Sequence, residues 1–109
     1  MAELTKQTIS SSDRSFSMAA AAEAGDSVAF DRLAKLVVRN GSSASVTVTI
    51  ASEAPAAPPT GPEDLVVTIV AGETAVIGDI GNVLYRDGSG DVVWTYSAHE
   101  DLFVAVVQF

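Results

Sequence analysis

His99, Glu100 and Asp101 stand in a row in TYSAHEDLFVAVVQF, and His99 is the single histidine of the chain. An imidazole beside two carboxylates has the donors for a metal site or for general acid–base work. Zinc takes three or four protein ligands, and the chain has no second histidine and no cysteine to complete a set. A general base needs a positioned partner and a pocket around it. The triplet lies between an apolar run ending near Tyr96 and another opening at Leu102, where a polar reversal is required in any case. The spacing therefore assigns SAHED to a turn that closes a hairpin.

Other chemistry-bearing patterns resolve the same way. RDGSGD offers Asp87, Ser89 and Asp91 at alternate positions, as calcium loops do. The twelfth loop position, where such a loop places a bidentate Glu, is Ala98, and no flanking helices are predicted. Gly88-Ser89-Gly90 has the wrong spacing for a nucleophile elbow and leads into a strand. AGETAVIG lacks the Gly-Lys-Ser/Thr of a phosphate loop. Asn40-Gly41-Ser42 has the spacing of a glycosylation sequon but reads as a turn. Trp94 and Tyr96 share one strand face with Val92, so they are either core or interface anchors or a sugar-stacking platform. No catalytic residue, metal site or cofactor is expected.

The elements carrying these residues are strands. In AKLVVRNGSSASVTVTIAS, Leu36 and Val38 point one way, with Lys35, Val37 and Arg39 the other. After Asn40-Gly41, Val46, Val48 and Ile50 face one side and Thr47 and Thr49 the opposite side. The pattern predicts a β-hairpin with positive φ at the Asn-Gly turn. Further strands are predicted at 65–70, 74–79, 83–86, 91–96 and 102–109, and shorter ones near 16–22 and 27–31. Prolines confine 52–64 to an exposed connection. The last strand is apolar on both faces, Leu102, Val104 and Val106 against Phe103, Ala105, Val107 and Phe109, and so needs cover on both. The expected architecture is all-β: a single-domain β-sandwich of Greek-key or jelly-roll type over residues 16–109, with an extended N-terminal arm at 1–15 and a proline-rich loop at 52–64.

Composition narrows the partners. Hydrophobic residues make up 48% and aromatics 6% of the 109 residues, so the core is built from small β-branched side chains. Residues 1–39 carry five acids and five bases. Residues 40–109 carry nine acids and one base, Arg86, so the whole net charge of −8 belongs to the later part. An acidic surface repels phosphate backbones, and no nucleic-acid partner is expected. MAELTKQTIS lacks the apolar stretch of a signal peptide. No apolar run approaches the ~18 residues of a membrane span. Synthesis in a reducing cytoplasm, with no membrane partner, follows as the expectation.

The order LTKQTIS…FSMAAAAEAGDSVAFD, KLVVRNGSSASVTVTI, VVTIVAGETAVIG and LYRDGSGDVVWTYSAHEDLFVAVVQF resembles small structural proteins of tailed bacteriophages, of the head-decoration (capsid cement) type. The resemblance spans nearly the whole chain, although the proline loop at 52–64 departs from it. It implies a non-enzymatic virion protein, made in the host cytoplasm, that binds the outer surface of the major capsid protein shell and stabilises the head. A homo-oligomer on the shell, trimer or dimer, is implied with it. The residues expected to contact partners are Leu4, Thr8, Ile9, Arg14 and Phe16 of the arm, with Phe103 and Phe109 of the last strand. A carbohydrate-binding or adhesin module, and a head–tail connector or tail component, are the alternatives. The first would expose Trp94 and Tyr96 together.

Overall fold

The computed structural model describes residues 2–9, 16–51, 64–81, 85 and 90–108. Its strands are β1 (Ala2–Leu4), β2 (Gln7–Thr8), β3 (Ala19–Ala20), β4 (Asp26–Ala29), β5 (Lys35–Asn40), β6 (Val46–Ile50), β7 (Leu65–Ile69), β8 (Thr74–Ile77), β9 (Asp91–Tyr96) and β10 (Leu102–Gln108), with a short 3-10 helix at Gly78–Gly81. One sheet runs β1-β4-β9-β6-β7 and the other β2-β10-β5-β8, with β3 also on β10. The fold is an all-β, single-domain sandwich. Strands from the end of the chain, β9 and β10, pair with strands from its first half, so each sheet is assembled from segments far apart in sequence.

The core follows the alternation. Val46, Val48 and Ile50 of β6, with Val92 and Trp94 of β9, face Leu36 and Val38 of β5 and Leu102, Val104 and Val106 of β10, all buried. Trp94 is the largest buried side chain, and β-branched residues and leucines supply most of the rest, as composition predicts. Burying each such side chain stabilises the fold by ~1.5–3 kcal/mol.

The connections differ from the hairpins predicted at Asn40-Gly41 and SAHED. β5 and β10 belong to one sheet, β6 and β9 to the other. Residues 41–45 and 97–101 are therefore arches that step across the sandwich. β5 already has β10 on one side and β8 on the other, leaving β6 no edge to pair with. Gly41 does not take the positive φ of a two-residue turn; among the described residues that conformation occurs at Gly25, Gly72, Gly90 and Asp101. GSSAS also gives the chain enough length to cross between layers ~10 Å apart. Among the described residues, β6 and β7 are the one pair of consecutive strands that bond directly to each other within the ladder order.

The N-terminal segment differs too. Expected as an arm ordered by something else, residues 2–9 lie on their own sandwich. β1 adds in parallel to β4, and β2 adds in parallel to β10. Ile9 and Met18 pack over Val37, Ala105 and Val107, which form a second small apolar cluster on the outer face of the β5/β10 sheet. Over Ala105 and Val107, the cover that the doubly apolar last strand requires is thus supplied by Ile9 and Met18 of the same chain. The strand expected near 16–22 shrinks to Ala19–Ala20, and the one expected over 74–79 stops at Ile77. The 83–86 strand and the proline-rich segment fall almost wholly outside the described residues.

Candidate interaction surface

Buried polar side chains are the first place to look for chemistry, and two of them, Asp26 and Asn40, have structural work. Asp26 and Trp94 are cross-strand neighbours, both facing inward. The Trp94 indole Nε1–H donates to the Tyr96 hydroxyl at 2.7 Å, and that hydroxyl donates to Asp26. The same Asp26 oxygen accepts the Ala22 N–H at 3.2 Å, tying down the turn before β4. Burial, and then the Asp26 carboxyl beside it, push the Tyr96 phenol far above its ordinary value. A proton held this firmly suits a structural bond and not an acid–base exchange near neutrality.

Asn40 is fully buried, and all of its side-chain capacity is used. Its Nδ2 donates to Ala44 O at 2.8 Å and Ile69 O at 2.9 Å, while Oδ1 accepts the Ser42 N–H and hydroxyl. With Gly41 N–H on Asp101 O, and Gly72 N–H on Asn40 O, one residue gathers the arches 41–45 and 97–101 and a third, 70–73 between β7 and β8, at a single end of the sandwich. An amide so enclosed has no room for a glycan. Glu23, Glu73, Glu100 and Asp101 are exposed on the loops at this end, which makes it acidic.

At the other end Lys6, between β1 and β2, bonds Asp31 after β4 and Gln108 at the close of β10. It links the two sheets where the chain switches between them. The Lys6 hydrogen bond, followed by that of the Leu33 N–H, lowers the Asp31 pKa.

His99 is half-buried in the β9–β10 arch, where its carbonyl accepts the Leu102 N–H at 3.2 Å and so closes the turn. Among the described residues no three His, Asp or Glu side chains gather closely enough to hold a metal ion. Asp87 and Ser89 of the calcium-like stretch lie outside the described residues.

The residues expected to meet partners do not share one surface. Leu4 packs on the main core and Ile9 on the second cluster. Thr8 and Phe16 are exposed. Phe103 is half-buried on the outer face of β10, with the Arg39 guanidinium 5.5 Å above its ring. Arg14 and Phe109 lie outside the described residues. Trp94 is buried in the core, and Tyr96 packs against the same cluster, so they form no exposed stacking platform.

A different surface emerges from the register. On the outer face of the β1-β4-β9-β6-β7 sheet, Thr49 pairs with Thr95 on one side and Val66 on the other, and Thr47 pairs with Thr68. Val93 continues the face, and Ser27 beyond it in the register is already buried. Among the described residues, its centre is made of short β-branched and hydroxyl side chains, with charge at its margin at Glu3, at Asp91 and at Asp64 just before β7. The alternation TVTI already marked Thr47 and Thr49 as outward. The other rows need the strand order, which the sequence does not display.

The chain matches no protein-family model, no curated protein and no solved structure.

Proposed function

We propose that this chain is a non-enzymatic structural protein of a bacteriophage virion, a head-decoration protein that binds the outer surface of the major capsid protein shell and stabilises it. The order of motifs through the chain supports this role. The observation that carries it is the outer face built on Thr47, Thr49, Thr68, Thr95, Val66 and Val93, uncharged at its centre in a chain of net charge −8. Such a face can lie against a protein shell with little desolvation cost, because no ion has to leave water. The acidic arches at Glu23, Glu73, Glu100 and Asp101 would stay in solvent. At ~25 cal/mol per Å2 of apolar area removed from water, a patch of ordinary size, ~800 Å2 per partner, becomes a large total when repeated over a shell.

This reading moves attachment from the N-terminal arm to the sheet, since Leu4 and Ile9 are occupied within the chain. Co-sedimentation with emptied heads of the phage that encodes the protein tests it. Saturable, stoichiometric binding by the intact chain, lost in Thr49→Arg and Thr95→Arg, is expected. Failure of the intact, folded protein to bind overturns the decoration role. Binding that survives both arginines overturns the assignment of the face.

A further inference from the structure

Val66 on β7, Val70 just after it and Val76 on β8 are 59%, 51% and 56% exposed; Val66 stands on the outer face of one sheet and Val76 on that of the other, and their strands lie along one side edge of the sandwich. β7 is the outermost strand of one sheet and β8 of the other, and only residues 70–73 join them. This side therefore presents two strand edges stacked at the ~10 Å spacing between sheets. Among the described residues, no strand pairs with the outer edge of either.

Edges that face water are normally blunted by charge, proline, a bulge or brevity. The opposite side of the molecule follows that habit: β1 and β2 are three and two residues long, with Glu3 and Lys6 on or beside them. β7 and β8 do not. LVVTI and TAVI hold no charged residue and no proline, and Glu73 on the arch is the one charge between Leu65 and Ile77.

We propose that these edges form the seam with a second copy of this chain, β7 against β7 and β8 against β8, about a two-fold axis perpendicular to the sheets. A partner for this wall must offer two open edges at the same spacing. A single peptide strand would fill one and leave the other wet, whereas a second copy carries both. The two-fold sets each strand antiparallel to its counterpart, so both sheets continue across the seam in one isologous contact. With the axis at Val67, Val66 of one copy lies opposite Thr68 of the other, an uncharged pair. No seam strand brings a charge against its like, despite the −8 carried by each copy. The inference does not depend on the virion role.

Sedimentation velocity over a micromolar dilution series tests it. The intact protein is expected at twice the 11.2 kDa chain mass. The Thr68→Lys/Val76→Lys variant, altered at two exposed positions, is expected at the chain mass with an unchanged circular dichroism spectrum. An intact protein that stays monomeric throughout, or an oligomer whose mass survives both lysines, overturns the seam. Should the lysine variant fail to fold, the cysteine-free background allows a second measurement. Oxidising an equimolar mixture of Val66→Cys and Thr68→Cys is expected to give a covalent dimer, and its absence overturns the proposal.

Discussion

Trp94 and Tyr96, two residues apart on β9, point the same way and are hydrogen-bonded to each other, the indole N–H donating to the phenol oxygen at 2.7 Å. The phenol then donates to Asp26 on the neighbouring strand, so the largest ring in the core is fixed by a relay of two bonds. Removing the hydroxyl in Tyr96→Phe strands the indole N–H and takes a donor from Asp26. Each buried group left unpaired costs ~1–3 kcal/mol, so Tyr96→Phe is expected to lose roughly 2–4 kcal/mol. A urea midpoint lowered with an unchanged slope would confirm a loss of stability with the surface exposed on unfolding unaltered. A change within experimental error would show that the relay contributes nothing.

The same phenol sets an alkaline limit. An unfolded tyrosine ionises near 10, whereas burial holds the folded phenol protonated well beyond that. Above pH 10 the unfolded chain therefore binds fewer protons than the folded one, and stability falls as pH rises. The contribution is fully present below pH 10. Melting temperatures measured from pH 8 upward are expected to decline above pH 10 in the intact protein and to decline less in Tyr96→Phe. Parallel curves would assign the alkaline loss to other groups.

Asn40 offers a test in which shape hardly changes. Asn40→Asp keeps the size of the side chain but replaces the amide, which donates to Ala44 O and Ile69 O, with an oxygen facing both carbonyls. Asn40→Ala removes the groups altogether and is expected to cost about 3 kcal/mol. The aspartate is expected to be worse at pH 7, and to recover part of the loss as pH falls and the acid takes up a proton. Chemical denaturation at pH 4 and pH 7 decides between them. An aspartate variant as stable as the intact protein would remove Asn40 from its place as the clasp of the arches.

Gly25 fails as alanine for two reasons. Its φ is +100°, and a Cβ there would come within 2.4 Å of the Trp94 carbonyl oxygen. Neither the backbone of β9 nor the turn can yield cheaply, so Gly25→Ala is expected to destabilise by about 2–4 kcal/mol. Gly72→Ala, with the same sign of φ but open space around it, is expected to cost less. Thermal unfolding of the two variants side by side measures the steric part as the difference.

These residues also mark how far the sequence could be read. The alternation in Leu36–Val38 and Val46–Ile50 identifies the strands and their inward faces, because every second side chain must leave water. It does not identify the sheet. A hairpin and an arch bury the same alternate residues, and Asn40-Gly41 followed by a polar run is compatible with either. The choice is made by β10, more than sixty residues later, which occupies the edge of β5 that a hairpin would have used. Asp26 and Lys6 were hidden for a related reason. Each looks like an ordinary surface charge until Tyr96 and Gln108 arrive from distant strands. The outer threonine face was half legible, since Thr47 and Thr49 share a strand while Thr68 and Thr95 join only through register.

β2 runs parallel to β10, with Gln7 beside Val107 and Thr8 beside Gln108. Tension applied to the two ends of the chain leaves these strands in opposite directions, so it slides them along each other and does not peel them apart. All the bonds of the contact, Ile9 N–H to Gln108 O and the Lys6 link among them, are then strained together before any can break. Stretching in a single-molecule instrument would load the parallel β1–β4 contact and then this one between β2 and β10, both in shear, with the core still intact behind them. The sandwich is latched like a buckle, by the two ends of its own strap.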